Sequence, residues 1–197
     1  MNRPFAQFRD KTLEEFAPRT PSQKEALDIV QRYIEDREKN LRSGWGLLLT
    51  GKPGVGKTFL ANMVLKACQE KGESIEAFEM SAFIELFLER FALQHREESD
   101  QRYYEIQDHI HRIRTKTQWV LFDDIGREHE SASGWSNEQL FNVFRYRYDR
   151  GRPTLFTTNF NLDELGTRCS EGFISQIGES CHVIAMESND YRWTKDE

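Results

Sequence analysis

Eight consecutive residues, Gly51-Lys52-Pro53-Gly54-Val55-Gly56-Lys57-Thr58, follow an apolar run and precede an amphipathic stretch. Each residue type in this string has a use in holding a nucleoside triphosphate. Glycines let backbone N–H groups turn inward around a β-phosphate, and a following helix directs its positive end at the same charge. Lys57 reaches the β- and γ-phosphates and Thr58 ligates Mg²⁺. Pro53, Gly54, Val55 and Phe59 complete the set expected to line ATP. Such a match arises by chance in on the order of one chain in a hundred, and the requirement for a strand before and a helix after lowers that further.

Two further strings have matching chemistry. Val120-Leu121-Phe122-Asp123-Asp124 is an apolar run that delivers two carboxylates at its end, where ligands of open parallel sheets sit. Asp123 is expected to hold Mg²⁺ through water or by way of Thr58, and Asp124 to orient and polarise an attacking water. Thr157-Thr158-Asn159 closes another buried run, and the Asn159 amide is placed to hydrogen-bond both a γ-phosphate and the lytic water. An asparagine there is also a common turn residue.

These residues need strands and helices to position them. Residues 1–21 contain three prolines and are expected to form an irregular lead-in, with Phe5, Phe8, Leu13 and Phe16 packing onto the domain. Ser22 is the expected cap of a helix to about Asn40, with Ala26, Leu27, Val30, Tyr33 and Ile34 on one stripe. Trp45–Thr50 is the first strand, and Phe59, Leu60, Met63, Val64 and Ala67 mark the helix after the glycine turn. A second strand spans Ser74–Met80, Ser81 caps a helix to about Gln94, and a charged helix covers Ser99–Lys116. Gln118–Asp123, Thr154–Thr158 and His182–Met186 are the remaining strands. A helix is expected over Asn137–Arg150, and short ones near Leu162–Leu165 and Gly172–Ile177. Alternating strands and helices imply an α/β fold with a mainly parallel sheet covered on both faces.

The 197 residues suit one domain, placed at 22–190 with a tail at 191–197. No run approaches the ~20 apolar residues of a membrane span. The amino terminus lacks the apolar centre of a secretory signal, so no membrane partner and a cytoplasmic setting are expected. Cys68, Cys169 and Cys181 have neither paired nor metal-like spacing and are expected to be buried thiols. A net charge of −6 argues against constitutive coating of nucleic acid.

Taken in order, the three strings resemble the Walker A, Walker B and sensor 1 elements of AAA+ ATPases. More narrowly, Asp123-Asp124-Ile125-Gly126 and Arg152-Pro153-Thr154-Leu155-Phe156-Thr157-Thr158-Asn159 are similar to those of the DnaC/DnaI helicase loaders and the related IstB-type transposition helpers. The likeness extends over roughly Leu13 to Arg192. It implies a P-loop three-layer sandwich with a parallel five-stranded sheet in the order 5-1-4-3-2. It also implies a reduced lid after Met186, and an adenine pocket to which Leu13-Glu14-Glu15-Phe16 contribute. The implied partners are a hexameric DnaB-type replicative helicase and further copies of the chain in the ATP-bound state, with single-stranded DNA as a candidate ligand.

The chain departs from the loader pattern in two places. Where loaders carry an arginine finger for a neighbour's ATP, Phe173-Ile174-Ser175-Gln176-Ile177 has Gln176, so slow hydrolysis alone is expected, with Arg168 as a candidate substitute. Loaders also commonly carry a separate amino-terminal helicase-binding domain, and only 44 residues precede Trp45. Residues 1–20 grip the helicase, or another subunit does, or the chain is trimmed.

Two stretches suit single-stranded DNA: Arg145-Tyr146-Arg147-Tyr148-Asp149-Arg150-Gly151-Arg152, and the group Arg102, Tyr103, His109, Arg112, Arg114 and Lys116. Both are also ordinary compositions for a helix end and a solvated helix. The expected function is that of a replication accessory ATPase acting on a helicase. Its alternatives are a transposition helper or a nonhydrolysing nucleotide-dependent adaptor.

Overall fold

The computed structural model describes residues 6–94, 100–126 and 135–187. Helices α1 (Pro21–Glu35) and α2 (Arg37–Ser43) lead into β1 (Gly46–Thr50) and α3 (Lys57–Glu70). Then follow β2 (Ile75–Glu79), α4 (Met80–Leu93), α5 (Asp100–Thr115), β3 (Trp119–Asp123) and α6 (Trp135–Tyr148). The fold closes with β4 (Thr154–Thr158), α7 (Leu162–Gly166), α8 (Glu171–Ser180) and β5 (Cys181–Ala185). All strand pairs are parallel, in the order β2-β3-β4-β1-β5, the order expected from the sequence read from the other edge.

Strand side chains alternate between two cores, as the pleat requires. Leu48, Phe78, Val120, Phe122 and Phe156 pack under α4, α5, α6 and α8. Leu47, Leu49, Ala77, Trp119, Leu121 and Leu155 face α1 and α3. β1, β3 and β4 are buried at every position, which is why they read as continuous apolar runs.

Several boundaries differ from expectation for identifiable reasons. The α1 cap is Thr20, not Ser22: its Oγ1 accepts from the Gln23 amide, and Pro21 occupies the first helical position, where its missing N–H costs nothing. Ser22 instead donates to the Glu187 carbonyl and accepts from the Glu187 amide, tying α1 to the end of β5. The expected single helix to Asn40 breaks at Asp36. α4 starts at Met80 directly after Glu79, so Ser81 lies inside the helix and is not its cap. Cys68 and Cys181 are buried, but Cys169 is only half-buried. Phe5, the 191–197 tail and the rest of the segment where a reduced lid is expected lie outside the described residues.

The larger correction concerns Arg147. In sequence it belongs to an arginine-tyrosine stretch suited to DNA, yet its side chain is 0% exposed. Its guanidinium donates to the carbonyls of Ile113, Thr117, Gln118 and Pro153 and to Thr154 Oγ1. Burial draws it down to about 9, with the nearby Arg152 charge acting in the same direction, so it remains cationic at neutral pH. Thr117 continues the network by donating to Glu76, which also accepts from His109 at 2.6 Å. Burial alone would raise the Glu76 carboxyl, but these two donors prevail and hold it below the ordinary glutamate range.

Arg147 therefore braces the starts of β3 and β4 against the ends of α5 and α6. Replacing Arg147 by leucine should strand buried carbonyls without donors and cost about 3–5 kcal/mol, read as a fall in the urea midpoint at constant m. Arg147→Lys should rescue little, because an ammonium lacks the planar fork.

Candidate nucleotide site

The loop between β1 and α3 places Lys57, 6% exposed, at the first position of α3. Its ammonium donates to the Gly51 and Lys52 carbonyls, at 2.7 and 2.9 Å, and to Asn159 Oδ1 at 2.9 Å. One hydrogen-bond chain thus joins the first and third sequence strings, 102 residues apart. The chain continues, because Asn159 Nδ2 donates to Asp124 Oδ1. Thr58 Oγ1 donates to Asp123 Oδ1 at 2.9 Å. The structure therefore brings together Lys57, Thr58, Asp123, Asp124 and Asn159.

Asp124 is the one non-glycine residue with positive φ among the described residues, at 62°. Aspartate tolerates that conformation better than most residues, and the surroundings over-determine it. The Asp124 amide donates to Thr157 Oγ1 at 2.8 Å, and the Ile125 amide donates to the Thr157 carbonyl. Thr157 Oγ1 in turn donates to Asp123 Oδ1 at 2.6 Å, and Thr158 Oγ1 to the Ile125 carbonyl at 2.8 Å. Burial, with the Asp124 charge in the same direction, raises the Asp123 carboxyl above the ordinary aspartate range against the donors Thr157 and Thr58 and the charge of Lys57.

The lead-in lies against this loop. Phe16 stacks on Phe59 with centroids 5.9 Å apart, and Phe8 meets the same ring edge-on at 5.8 Å. Gly56, at φ 103°, admits this contact: a Cβ there would fall 2.4 Å from the Phe16 ring. Lys66 holds the lead-in to α3 through the Arg9 and Lys11 carbonyls. Gln23, 0% exposed, donates to the Val55 carbonyl at 3.1 Å and so links α1 to the loop.

Thr157 and Gln23 were not among the residues expected at the site. A signal existed for each: a hydroxyl ending an apolar strand and an amide on a buried helical stripe both require internal partners.

The residues fit a triphosphate with a hard divalent cation. Thr58 and Asp123 offer adjacent oxygen donors of the kind Mg²⁺ takes. Lys57 supplies a buried positive charge at a helix N-terminus.

A family model for IstB-like ATP-binding proteins matches residues 11–197. The chain belongs to that family. It is an AAA+ domain homologous to helicase loaders. The replicative helicase loader DnaI of Bacillus subtilis (strain 168) is 29% identical over 159 residues, 80% of this chain and 44% of that protein. The phage-like element PBSX protein XkdC of the same bacterium is 28% identical over 189 residues, 88% of this chain and 63% of that protein. The chain thus spans less than two-thirds of either relative.

The crystal structure of the DnaC helicase loader superposes with a TM-score of 0.73 at 25% identity, over 92% of this chain and 99% of that one. The replication initiator DnaA bound to AMPPCP and single-stranded DNA gives 0.72 at 16% identity, over 90% of this chain and 50% of that one, a likeness of fold alone. The sheet order and these matches make this a P-loop NTPase fold.

The two basic stretches meet in part. A cleft of about 440 Å³ between α4, α5 and α6 is lined by Arg90, Arg114, Arg145 and Tyr146 among others. Arg114 and Arg150 both lie over the Tyr146 ring, at 4.4 and 3.5 Å. Among the described residues, none of Arg90, Arg114 and Arg145 is ion-paired to a carboxylate. Other members of the expected DNA set have protein partners: Arg102 forks onto Glu89, Arg112 pairs with Asp108 and His109 with Glu76. Among the described residues no helix is long and apolar enough to cross a membrane.

Thr157→Val preserves shape but removes the acceptor of the Asp124 amide and a donor to Asp123. It should lower stability by about 1–3 kcal/mol in chemical denaturation, and Thr157→Ser, which keeps the hydroxyl, should recover most of that loss.

Proposed function

We propose that this chain is an ATP-hydrolysing replication accessory protein that binds a hexameric DnaB-type helicase and helps place it on DNA, with the cytoplasm as its setting. The observation that carries the reading is the continuous Lys57–Asn159–Asp124 hydrogen-bond chain, built from the residues that give the loader likeness. Residues 22–190 form the ATPase domain in this reading.

Gly51, Pro53, Gly54, Val55, Gly56, Lys57, Thr58 and Phe59 line the ATP, with backbone amides and Lys57 on the phosphates. Thr58 and Asp123 hold Mg²⁺, which when bound supplies charge neutralisation at the phosphates. Asp124 accepts a hydrogen bond from the attacking water. Asn159, bonded on one side to Lys57 and on the other to Asp124, couples the state of the γ-phosphate to the water-activating carboxylate. Gln176 lies in α8 with its Oε1 buried and without a hydrogen-bond partner among the described residues, and an amide cannot supply an arginine's charge. Hydrolysis by the isolated chain is accordingly slow, and ATP-bound copies associate with each other and with the helicase.

A pull-down with the host's replicative helicase tests the reading. Wild type should retain the helicase more strongly with ATP than without, and Lys57→Ala should lose that difference. Equal retention of nothing under both conditions, or capture of a transposase instead, would refute it in favour of an adaptor or a transposition helper.

The α4–α5–α6 cleft is the surface offered to single-stranded DNA, because among the described residues Arg90, Arg114 and Arg145 form no ion pair with a carboxylate. The double variant Arg114→Ala/Arg145→Ala should weaken binding to a thymidine oligonucleotide and flatten the slope of log affinity against log salt by about 1.4, the release expected for two phosphate contacts on a single strand. Wild type without ATP-dependent affinity at low salt would remove the DNA role.

A further inference from the structure

Arg168 follows α7, and its side chain folds back onto its own subunit. The guanidinium carbon lies 3.9 Å from the centroid of Phe160, and Nη1 donates to the Gly126 carbonyl at 3.2 Å. These contacts fall on two particular loops. Phe160 directly follows Asn159, and Gly126 lies two residues beyond Asp124. The loops also touch each other: Gly126 has φ 92°, and a Cβ there would sit 2.8 Å from Leu165 Cδ1 and 3.0 Å from Phe160 Cδ2. Inside this packing, Thr158 Oγ1 donates to the Ile125 carbonyl, and Asn159 bonds Asp124.

We propose that Arg168 is a positioning residue acting within its own subunit, clamping the loop after β3 to the loop after β4 so that Asp124 and Asn159 stay in register. The chemistry suits that task. A guanidinium can lie flat on an aromatic face while its fork reaches a carbonyl in nearly the same plane. A carbonyl and a ring are one polar and one apolar partner, and the two loops supply one each. Arginine is suited to join them. An arginine finger, by contrast, must project from the subunit that carries it. Here the side chain is engaged by the two loops whose strands end in Asp123 and Thr158, which favours a role in cis over the finger for which Arg168 is a candidate.

The kinetic arm of this inference rests on the ATPase reading; a structural arm does not. In steady-state turnover, Arg168→Ala should lower kcat about tenfold with KM for ATP changed less than about twofold. Arg168→Lys, which keeps the charge without the planar fork, should fall between the two. When Arg168→Ala is mixed with Lys57→Ala, turnover should equal that of the two measured apart. Recovery toward wild type would show an arginine supplied in trans and overturn the proposal.

The structural arm is amide hydrogen exchange. The Ile125 amide, which donates to the Thr157 carbonyl at 2.9 Å, should exchange about tenfold faster in Arg168→Ala, while the Leu121 amide in the strand interior is unchanged. Unaltered exchange at Ile125 would sink the clamp even if turnover fell. Should wild type hydrolyse no ATP under any condition, the ATPase reading fails and exchange alone decides the clamp.

Discussion

Adjacent carboxylates at the end of a fully buried strand repel each other and resist losing water, and the carboxyl edge of this sheet is arranged around that constraint. Asp123 is 8% exposed and shares the neighbourhood of Asp124. Thr157 resolves part of the conflict, donating to one carboxylate through its hydroxyl while the same oxygen accepts from the next residue's amide. That arrangement turns the chain at Asp124 into the left-handed region and sends its carboxylate toward Asn159. The Asn159 amide in turn bridges to Lys57, so positive and negative side chains are linked through a neutral group that can bond both. Without β4 directly beside β3, none of these contacts forms. The sheet order is therefore a requirement of this hydrogen-bond network as well as of packing.

The opposite edge is organised by one cation. Arg147 collects carbonyls that precede β3 and β4 and ties them to the end of α5, so the two strands that lead to the acidic pair and to Asn159 start from a common anchor. A buried cation with this many acceptors is worth having only if all are met. Together the two edges leave β3 and β4 little freedom to slide against each other, which is what a site built on two strand ends needs.

The sequence made the main features of this arrangement legible, and the reasons are physical. Continuous apolar runs mark strands covered on both sides, so β1, β3 and β4 stood out, and with them the residues at their ends. Phosphate-binding loops have strict backbone demands, so their residue types are nearly diagnostic. Arg147 was illegible because it differs from Arg145 only in which way it points from α6. Spacing along a helix of interleaved arginine and tyrosine does not reveal which cation turns inward. Thr157 was hidden for a related reason: threonine is a normal strand residue, and its value appears only when the neighbouring strand is known. The caps at Thr20 and Glu79 each lie two residues before the expected Ser22 and Ser81, the ordinary uncertainty of a helix end.

The lead-in is a strap fixed at both ends. Thr20 and Ser22 hold it to Glu187 beyond β5, while Lys66 grips the Arg9 and Lys11 carbonyls. Between these fastenings, Phe16 rests on Gly56 at the start of α3. The Phe16 ring against Gly56 and the Gln23 amide on the Val55 carbonyl are two of the contacts by which this segment meets the loop before α3. The lead-in thus joins the end of β5, α3 and the glycine loop in one continuous set of contacts.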